Sequence, residues 1–377
     1  MKIGVDTFAC DGGESEVGLY LINILKRLPP SGDLYELFGW DFDRFAYTDA
    51  GYGLDFIPQC SVTGESANAL WHYFKYPDFA KKRAYNACFF PVAHRRVPMH
   101  SPCPTIGTVH EMTTHWVRQK KREQQGHFFR FLLPNALRKL DKAIAVSNWI
   151  KQMLIEVVGI RDSVIEVVPQ GVDLSLFYPR SSNEESTVLI QPFSFRRPYI
   201  LYYARIEHPS KNHVRLIEAF GIFKDRTHYP HRLVLAGADS YGAETVKDAA
   251  SISPYKTDIF FAGAFPQKRM PELYAGADMV VIPSLFEGFG SGVLEAFASG
   301  IPVACAQSAG LPEIVGSCGL YFDPKNPADI ADRMVTLASN RDIYRECRAS
   351  GLARAQEFSW ERCVQRTLSI IRETIGT

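Results

Sequence analysis

Short runs of β-branched and aromatic residues alternate along the chain with longer stretches whose apolar positions recur every three or four residues. A short, almost wholly apolar run suits a strand covered on both faces, and the longer period suits the helix that covers it. The first such unit reads as a strand at Ile3 to Thr7, a glycine-containing turn, and an amphipathic helix through Leu19, Ile22, Leu25 and Leu28. Further strands are expected at Tyr35 to Phe38, Ala87 to Pro91, Thr105 to Val109, Lys142 to Ser147 and Val164 to Pro169. Helices are expected around Trp116 to Leu140 and Trp149 to Val158. Strands joined by crossover helices lie parallel, so residues 1–178 read as one doubly wound α/β domain.

The polar stretch Arg180 to Thr187 interrupts the pattern and places a linker over residues 179–197. Alternation then restarts, with strands expected at Tyr199 to Ile206, Arg232 to Ala238, Asp258 to Ala264, Asp278 to Pro283 and Ile301 to Ala306. The helices between them are read at His213 to Asp225, Met270 to Ala277 and Ser291 to Ser299. The rest is helical: Pro327 to Ala338, Asp342 to Phe358 and Ser359 to Thr374. A second α/β domain therefore occupies residues 198–358, and residues 359–377 form a final helix.

Composition narrows the function classes. Apolar residues make up 46% of the 377 and the net charge is +1, which excludes a disordered chain and argues against a dedicated nucleic-acid binder. None of the eight cysteines stands in a C-x-x-C pair, so zinc and thioredoxin-like spacings are lacking. Asp6 comes too early for a signal-peptide apolar core, and no run of about 18 apolar residues offers a membrane span. A reducing cytoplasmic location is expected.

In open parallel sheets, ligands bind at the loops that follow the carboxyl ends of strands. The densest of these loops runs from Ser284 to Gly300 and holds Gly288, Gly290 and Gly292 just before a helix start at Ser291. Glycines let backbone approach a ligand, and unsatisfied N–H groups at a helix N-terminus attract phosphate. Glu287 and Glu295 stand eight positions apart, one in the loop and one in the early helix. Carboxylates accept hydrogen bonds from paired hydroxyls, so a phosphate site flanked by two of them suggests a nucleotide-sugar.

With Pro283-Ser284, the Glu287-Gly288-Phe289-Gly290 turn, Glu295 and Ala296 to Val303 in place, the chain resembles the retaining family 4 glycosyltransferases of the GT-B fold. It departs from their usual pattern at Ser291 and Gly292, where the family has a hydrophobic residue and proline, and altered helix-start geometry is expected there. Arg205 and the Lys211-Asn212 pair resemble the family's basic residues after the first strand of the second domain. Ala145 to Ser147 and Val168 to Asp173 are similar to stretches late in the first domain, and Gly12-Gly13 to its early glycine loop. Val109-His110-Glu111 resembles a His-Asp pair, with Glu for Asp.

The resemblance implies two Rossmann-like domains facing an interdomain cleft, with the last helix crossing back to the first domain. It implies a hexose moved from a UDP- or GDP-linked donor to a saccharide or lipid-linked glycan, as in polysaccharide or cell-surface glycan biosynthesis. Arg205, Lys211 and the helix start at Gly290, Ser291 and Gly292 would hold the diphosphate, and two cations would replace a metal. No cofactor is implied beyond the donor. Glu295 would take the ribose hydroxyls, Glu287 the hydroxyls of the transferred sugar, and His110 would face that sugar. Gly12, Gly13, Gly237, Gly288 and Phe289 would give the donor close access, and Phe265 could line the base or simply be core.

On the acceptor side, His94, Arg95 and Glu111 are weaker candidates. The basic and aromatic stretch 118–133 fits either a peripheral contact with the inner membrane face or, more commonly, an exposed turn leading into a core helix. Rival readings are a non-catalytic nucleotide-sugar-binding subunit and an epimerase or hydrolase of the same fold. A dinucleotide oxidoreductase is a poor fit, because Cys10 to Ser15 lacks G-x-G-x-x-G.

Overall fold

A computed structural model describes residues 1–30, 32–48, 54–59, 70–112, 132–180, 187–190 and 193–376. The chain divides into two compact units, Met1–Gly171 with Trp360–Thr377, and Val172–Ser359. Each is an α/β unit built on one parallel sheet.

The strands of the first unit are β1 (Lys2–Asp6), β2 (Leu34–Trp40), β3 (Asp55–Gln59), β4 (Ala87–Phe90), β5 (Thr105–Val109), β6 (Lys142–Ala145) and β7 (Ile165–Val167). Their order is β3-β2-β1-β4-β5-β6-β7, parallel throughout. A two-stranded antiparallel sheet follows, β8 (Thr187–Ile190) with β9 (Phe193–Arg196), inside the stretch read from sequence as linker. The second unit comprises β10 (Tyr199–Tyr203), β11 (Arg232–Ala236), β12 (Ile259–Gly263), β13 (Met279–Ile282), β14 (Val303–Ala306) and β15 (Leu320–Phe322), ordered β12-β11-β10-β13-β14-β15. In both sheets the order reverses beside the first strand, at β1/β4 and at β10/β13. That reversal opens a crevice at the carboxyl ends, where a ligand can reach several loops at once.

The central strands are buried because they are covered on both faces. Every residue of β4, β5, β13 and β14 is buried. The pattern missed β3, which carries Pro58, and β15, which is three residues long. Helices were also missed, among them Arg44–Thr48, Tyr76–Arg83, Ala243–Ile252 and Leu311–Val315. Of the helix expected over Trp116 to Leu140, Leu133–Leu137 is helical, and 113–131 lie outside the described residues. Most of the basic and aromatic stretch 118–133 therefore falls outside them as well. Among the described residues no helix is long and apolar enough to cross a membrane.

The last helix, Trp360–Ile375, belongs to the first unit although it follows the whole second unit in sequence. One stripe of it, including Trp360, Val364, Leu368 and Ile371, is buried in the same core as Val17, Tyr20, Leu21 and Ile24 of the first helix. Arg27–Glu361, Arg366–Glu166 and Arg372–Asp33 rim that contact at 2.8, 3.0 and 2.9 Å. Such exposed pairs contribute little, and apolar burial, roughly 1.5–3 kcal/mol per large side chain, does most to hold the helix. Ile371→Ala is expected to lower stability by about 2–4 kcal/mol in urea unfolding, whereas Glu361→Gln should stay within about 0.5 kcal/mol of the parent.

Candidate functional site

In the second unit the site is built on backbone that only glycine permits. Gly237, just past β11, has φ +146, and a Cβ there would meet the Ala204 carbonyl oxygen at 2.0 Å. Its N–H donates to Gly263 O at 2.8 Å, so the carboxyl ends of β10, β11 and β12 are drawn together. Gly310 supports the loop after β13 in the same way: its N–H donates to Glu287 O at 2.9 Å, and a Cβ would meet Gly288 O at 2.5 Å.

Lys211 and Glu287 meet between two of these loops. Lys211 Nζ lies 2.8 Å from Glu287 Oε2, with side-chain exposures of only 13% and 17%. Several bonds fix the two loops in place. Leu285 N–H donates to Ser210 O at 2.9 Å. Asn212 Nδ2 donates to Pro283 O at 3.0 Å and to Pro324 O at 2.7 Å. The buried Tyr202 hydroxyl donates to Lys211 O at 3.0 Å and so accepts from Ser284 Oγ at 2.8 Å. Arg205 is half exposed, its guanidinium 3.5 Å from Glu207.

Gly290, at φ +98, caps the helix Ser291–Ala298 without any side-chain cap. First-turn N–H groups are therefore left for a ligand, and they carry the positive end of the helix dipole. The helix opens through Ser291 and Gly292 from the left-handed Gly290, and Val293 N–H donates back three residues to Gly290 O at 2.9 Å. Glu295 is half-buried one turn into this helix. Phe289 is buried with its ring centroid 6.1 Å from that of Phe358, so it offers backbone rather than a ring face. Phe265 is likewise buried, beside Gly263 at φ +64.

In the first unit a second group of candidates gathers at the carboxyl ends of β1, β4 and β5. Gly12 and Gly13 adopt φ +57 and +81 in the turn after β1. Arg95 ties itself to that turn, donating to Asp11 Oδ2 at 2.7 Å and Ala9 O at 3.2 Å. His94 Nδ1 accepts from the His110 N–H at 3.3 Å. Glu111 is half-buried next in sequence.

His110 is buried, with its ring edge-on to Tyr20 at 4.6 Å. Its Nε2 lies 2.8 Å from Pro91 O, and its Nδ1 lies 2.8 Å from Gln170 Nε2. A carbonyl only accepts, so Nε2 carries the proton and Nδ1 accepts from the Gln170 amide. Burial depresses its pKa to about 4, and Arg95 adds to the effect against the opposing Pro91 bond. His110 is therefore a neutral group with both nitrogens engaged, and bonding a sugar would require Nε2–H to leave Pro91 O.

Sequence reasoning singled out Lys211, Glu287 and the glycine turn as candidates and did not name the groups that hold them in place. Tyr202 reads as an ordinary strand residue, and Gln170 sits in a motif noted only for its place in the chain. Asp6, at the end of β1, is also paired: its Oδ2 lies 2.6 Å from His72 Nε2, both nearly inaccessible. No spacing in the sequence announces that contact, because the partners lie 66 positions apart.

The class follows from this architecture. Two doubly wound parallel sheets, each with its ligand-type loops at the carboxyl ends, constitute the GT-B fold. HepE from Anabaena, solved in complex with UDP and glucose, shares the fold, with TM-score 0.75 and 18% identity, over 99% of this chain and 100% of that one. The model described as Glycosyltransferase Family 4 matches residues 23–176, and the one described as Glycosyl transferases group 1 matches residues 190–354. With both halves so matched, the chain belongs to the family 4 type of GT-B glycosyltransferases.

Among curated proteins it is similar to O-antigen chain mannosyltransferase B of Escherichia coli, 34% identical over 51% of this chain and 50% of that protein. It is also similar to mannosylfructose-phosphate synthase of Agrobacterium fabrum, 26% identical over 62% of this chain and 53% of that protein. The chain thus spans about half the length of these relatives.

The His110 geometry sets a pH dependence. An unfolded histidine binds its proton near pH 6.5, whereas this one does so near pH 4. Between those values the unfolded chain holds more protons, so stability present above pH 6.5 is lost as pH falls toward 4, by an amount on the order of 3 kcal/mol. Urea unfolding at pH 7 and pH 4.5 should show this loss, and His110→Gln should reduce it. An unchanged difference in the variant would place the acid sensitivity elsewhere.

Proposed function

We propose that the chain is a retaining, metal-independent hexosyltransferase. It moves a glucose- or mannose-type residue from a nucleotide-diphosphate sugar to a saccharide or lipid-linked glycan during polysaccharide or cell-surface glycan synthesis. The observation that carries this reading is the Lys211–Glu287 pair, held at 2.8 Å, with Glu287 on the loop that leads into a helix N-terminus that has no side-chain cap. Breaking a glycosyl–phosphate bond builds negative charge on the departing diphosphate. A fixed ammonium, the Arg205 guanidinium and helix N–H dipoles stabilise that charge without reorganising. Glu295, one turn further on, is suited to the ribose hydroxyls.

Glu287 acts here by hydrogen bonding rather than as a nucleophile. Its carboxylate is already engaged by the Lys211 ammonium at 2.8 Å, which leaves it less free to attack the anomeric carbon. Retention then comes from attack on the leaving-group face, with the departing phosphate oxygen accepting the acceptor's proton. The mannosyltransferase and synthase names of the relatives, and the UDP and glucose bound by HepE, support this substrate class.

A thermal-shift panel of UDP, GDP, UDP-glucose and GDP-mannose tests the reading, since a ligand of the native state raises the melting temperature. A rise with one nucleotide family is expected, and no rise with any would overturn it. Lys211→Ala should lower transfer by about 100-fold or more while the variant keeps its fold. Glu287→Gln should separate two effects. Transfer falls, yet the sugar-free nucleoside diphosphate binds several-fold more tightly because Lys211 no longer has a competing carboxylate. Incubation with a chelator should leave transfer intact, and loss restored by magnesium or manganese would refute metal independence.

A further inference from the structure

Two thiols outside every loop discussed so far touch each other. Cys88, in the middle of β4, and Cys103, two residues before β5, have their sulfurs 3.8 Å apart. The backbone brings them together: Cys88 N–H donates to Pro104 O at 2.9 Å, and Cys88 pairs with Thr105 in the parallel register. Cys88 is wholly buried, its sulfur packed over Gly4, where a Cβ would come within 2.9 Å of it. Cys103 is partly exposed. Ser101 Oγ lies 3.6 Å from the Cys103 sulfur, and Tyr76 OH lies 3.0 Å from Ser101 Oγ.

The polarity of the pair follows from these surroundings. Burial raises the pKa of Cys88 well above the ordinary thiol value. That of Cys103 is lowered to about 7, chiefly by the hydrogen bond from Cys88 and further by Ser101 and Tyr76, against the effect of burial. A partly exposed thiolate with a protonated thiol in contact is the arrangement in which a cysteine reacts with an oxidant and is then resolved by its neighbour.

We propose that Cys103 and Cys88 form a hydroperoxide-reactive modification site in the first unit, with Cys103 the attacking thiolate and Cys88 the resolving thiol. The Cys103 sulfur attacks one peroxide oxygen, forming an S–O bond and breaking the O–O bond, and the released hydroxide takes a proton to become water. Cys88 sulfur then attacks Cys103 sulfur, forming S–S and breaking S–O. The departing hydroxide leaves as water with the Cys88 proton. Two thiols lose two electrons and one peroxide is reduced to two waters. The sulfurs are already in contact at 3.8 Å, and the bond would tie β4 to the segment entering β5. A dithiol reductant reverses it.

The test treats the full chain with hydrogen peroxide, blocks remaining thiols with N-ethylmaleimide, and maps the cysteine peptides by mass spectrometry. The expected product is a Cys88–Cys103 disulfide that disappears on reduction. In Cys88→Ser, which keeps a donor beside Cys103 but cannot form the disulfide, dimedone should trap a sulfenic acid on Cys103. In the untreated parent at pH 7, Cys103 should react with iodoacetamide about tenfold faster than the other cysteines, which needs no variant to fold. Oxidation mapping to other cysteines, or a Cys103 alkylated no faster than the rest, would overturn the proposal.

Discussion

Lys211 and Glu287 are held against each other with little access to water, and that contact governs how the surrounding loops are built. Two opposite charges so placed lose hydration, and their attraction offsets the loss only if geometry is kept and the neighbouring polar groups are satisfied. The structure meets this demand with fixed backbone. Asn212 bonds two carbonyls across the sheet end, Tyr202 bridges Lys211 O and Ser284, and Gly310 lies under Glu287 where no side chain would fit. An incoming diphosphate would therefore meet a cation already positioned and already partnered. On the proposed reading, exchange of one anion for another at Lys211 would keep the ammonium compensated.

The first unit solves a different electrostatic problem. Its histidine at the end of β5 is kept neutral by burial, and its two ring nitrogens are assigned opposite roles by Pro91 and Gln170. Nearby polar groups are held in pairs, Arg95 with Asp11 and His72 with Asp6. One unit thus presents a compensated ion pair and free helix dipoles, the other a neutral imidazole in a hydrogen-bonded frame. The donor chemistry proposed above, in which negative charge grows, would call for the former.

Much of this was legible in the chain. Alternation of apolar runs with helical periods marks the strands at Thr105–Val109 and Met279–Ile282 because strands covered on both faces must be apolar throughout. The Glu287 to Gly292 turn is legible for a local reason, since glycines and a following helix imply uncovered N–H groups. Where the signal failed, it failed for length or composition. β15 is three residues long, β3 contains a proline, and the pair β8/β9 adjoins a polar stretch. Phe265, read as either a base contact or, more commonly, core, and Phe289, read as a donor contact, both have buried rings, because an aromatic side chain carries the same signal in either role.

By itself the sequence determined the two parallel α/β units, the glycine turn with its two glutamates, and the basic residues that accompany them. These depend on periodicity and on spacing within one segment. Tertiary structure decided which groups touch: Lys211 with Glu287, His110 with Gln170 and Pro91, Cys88 with Cys103, and the last helix with the first unit's core. Such contacts join residues far apart in the chain through the register of parallel strands and the closeness of their loops, and no local pattern encodes them.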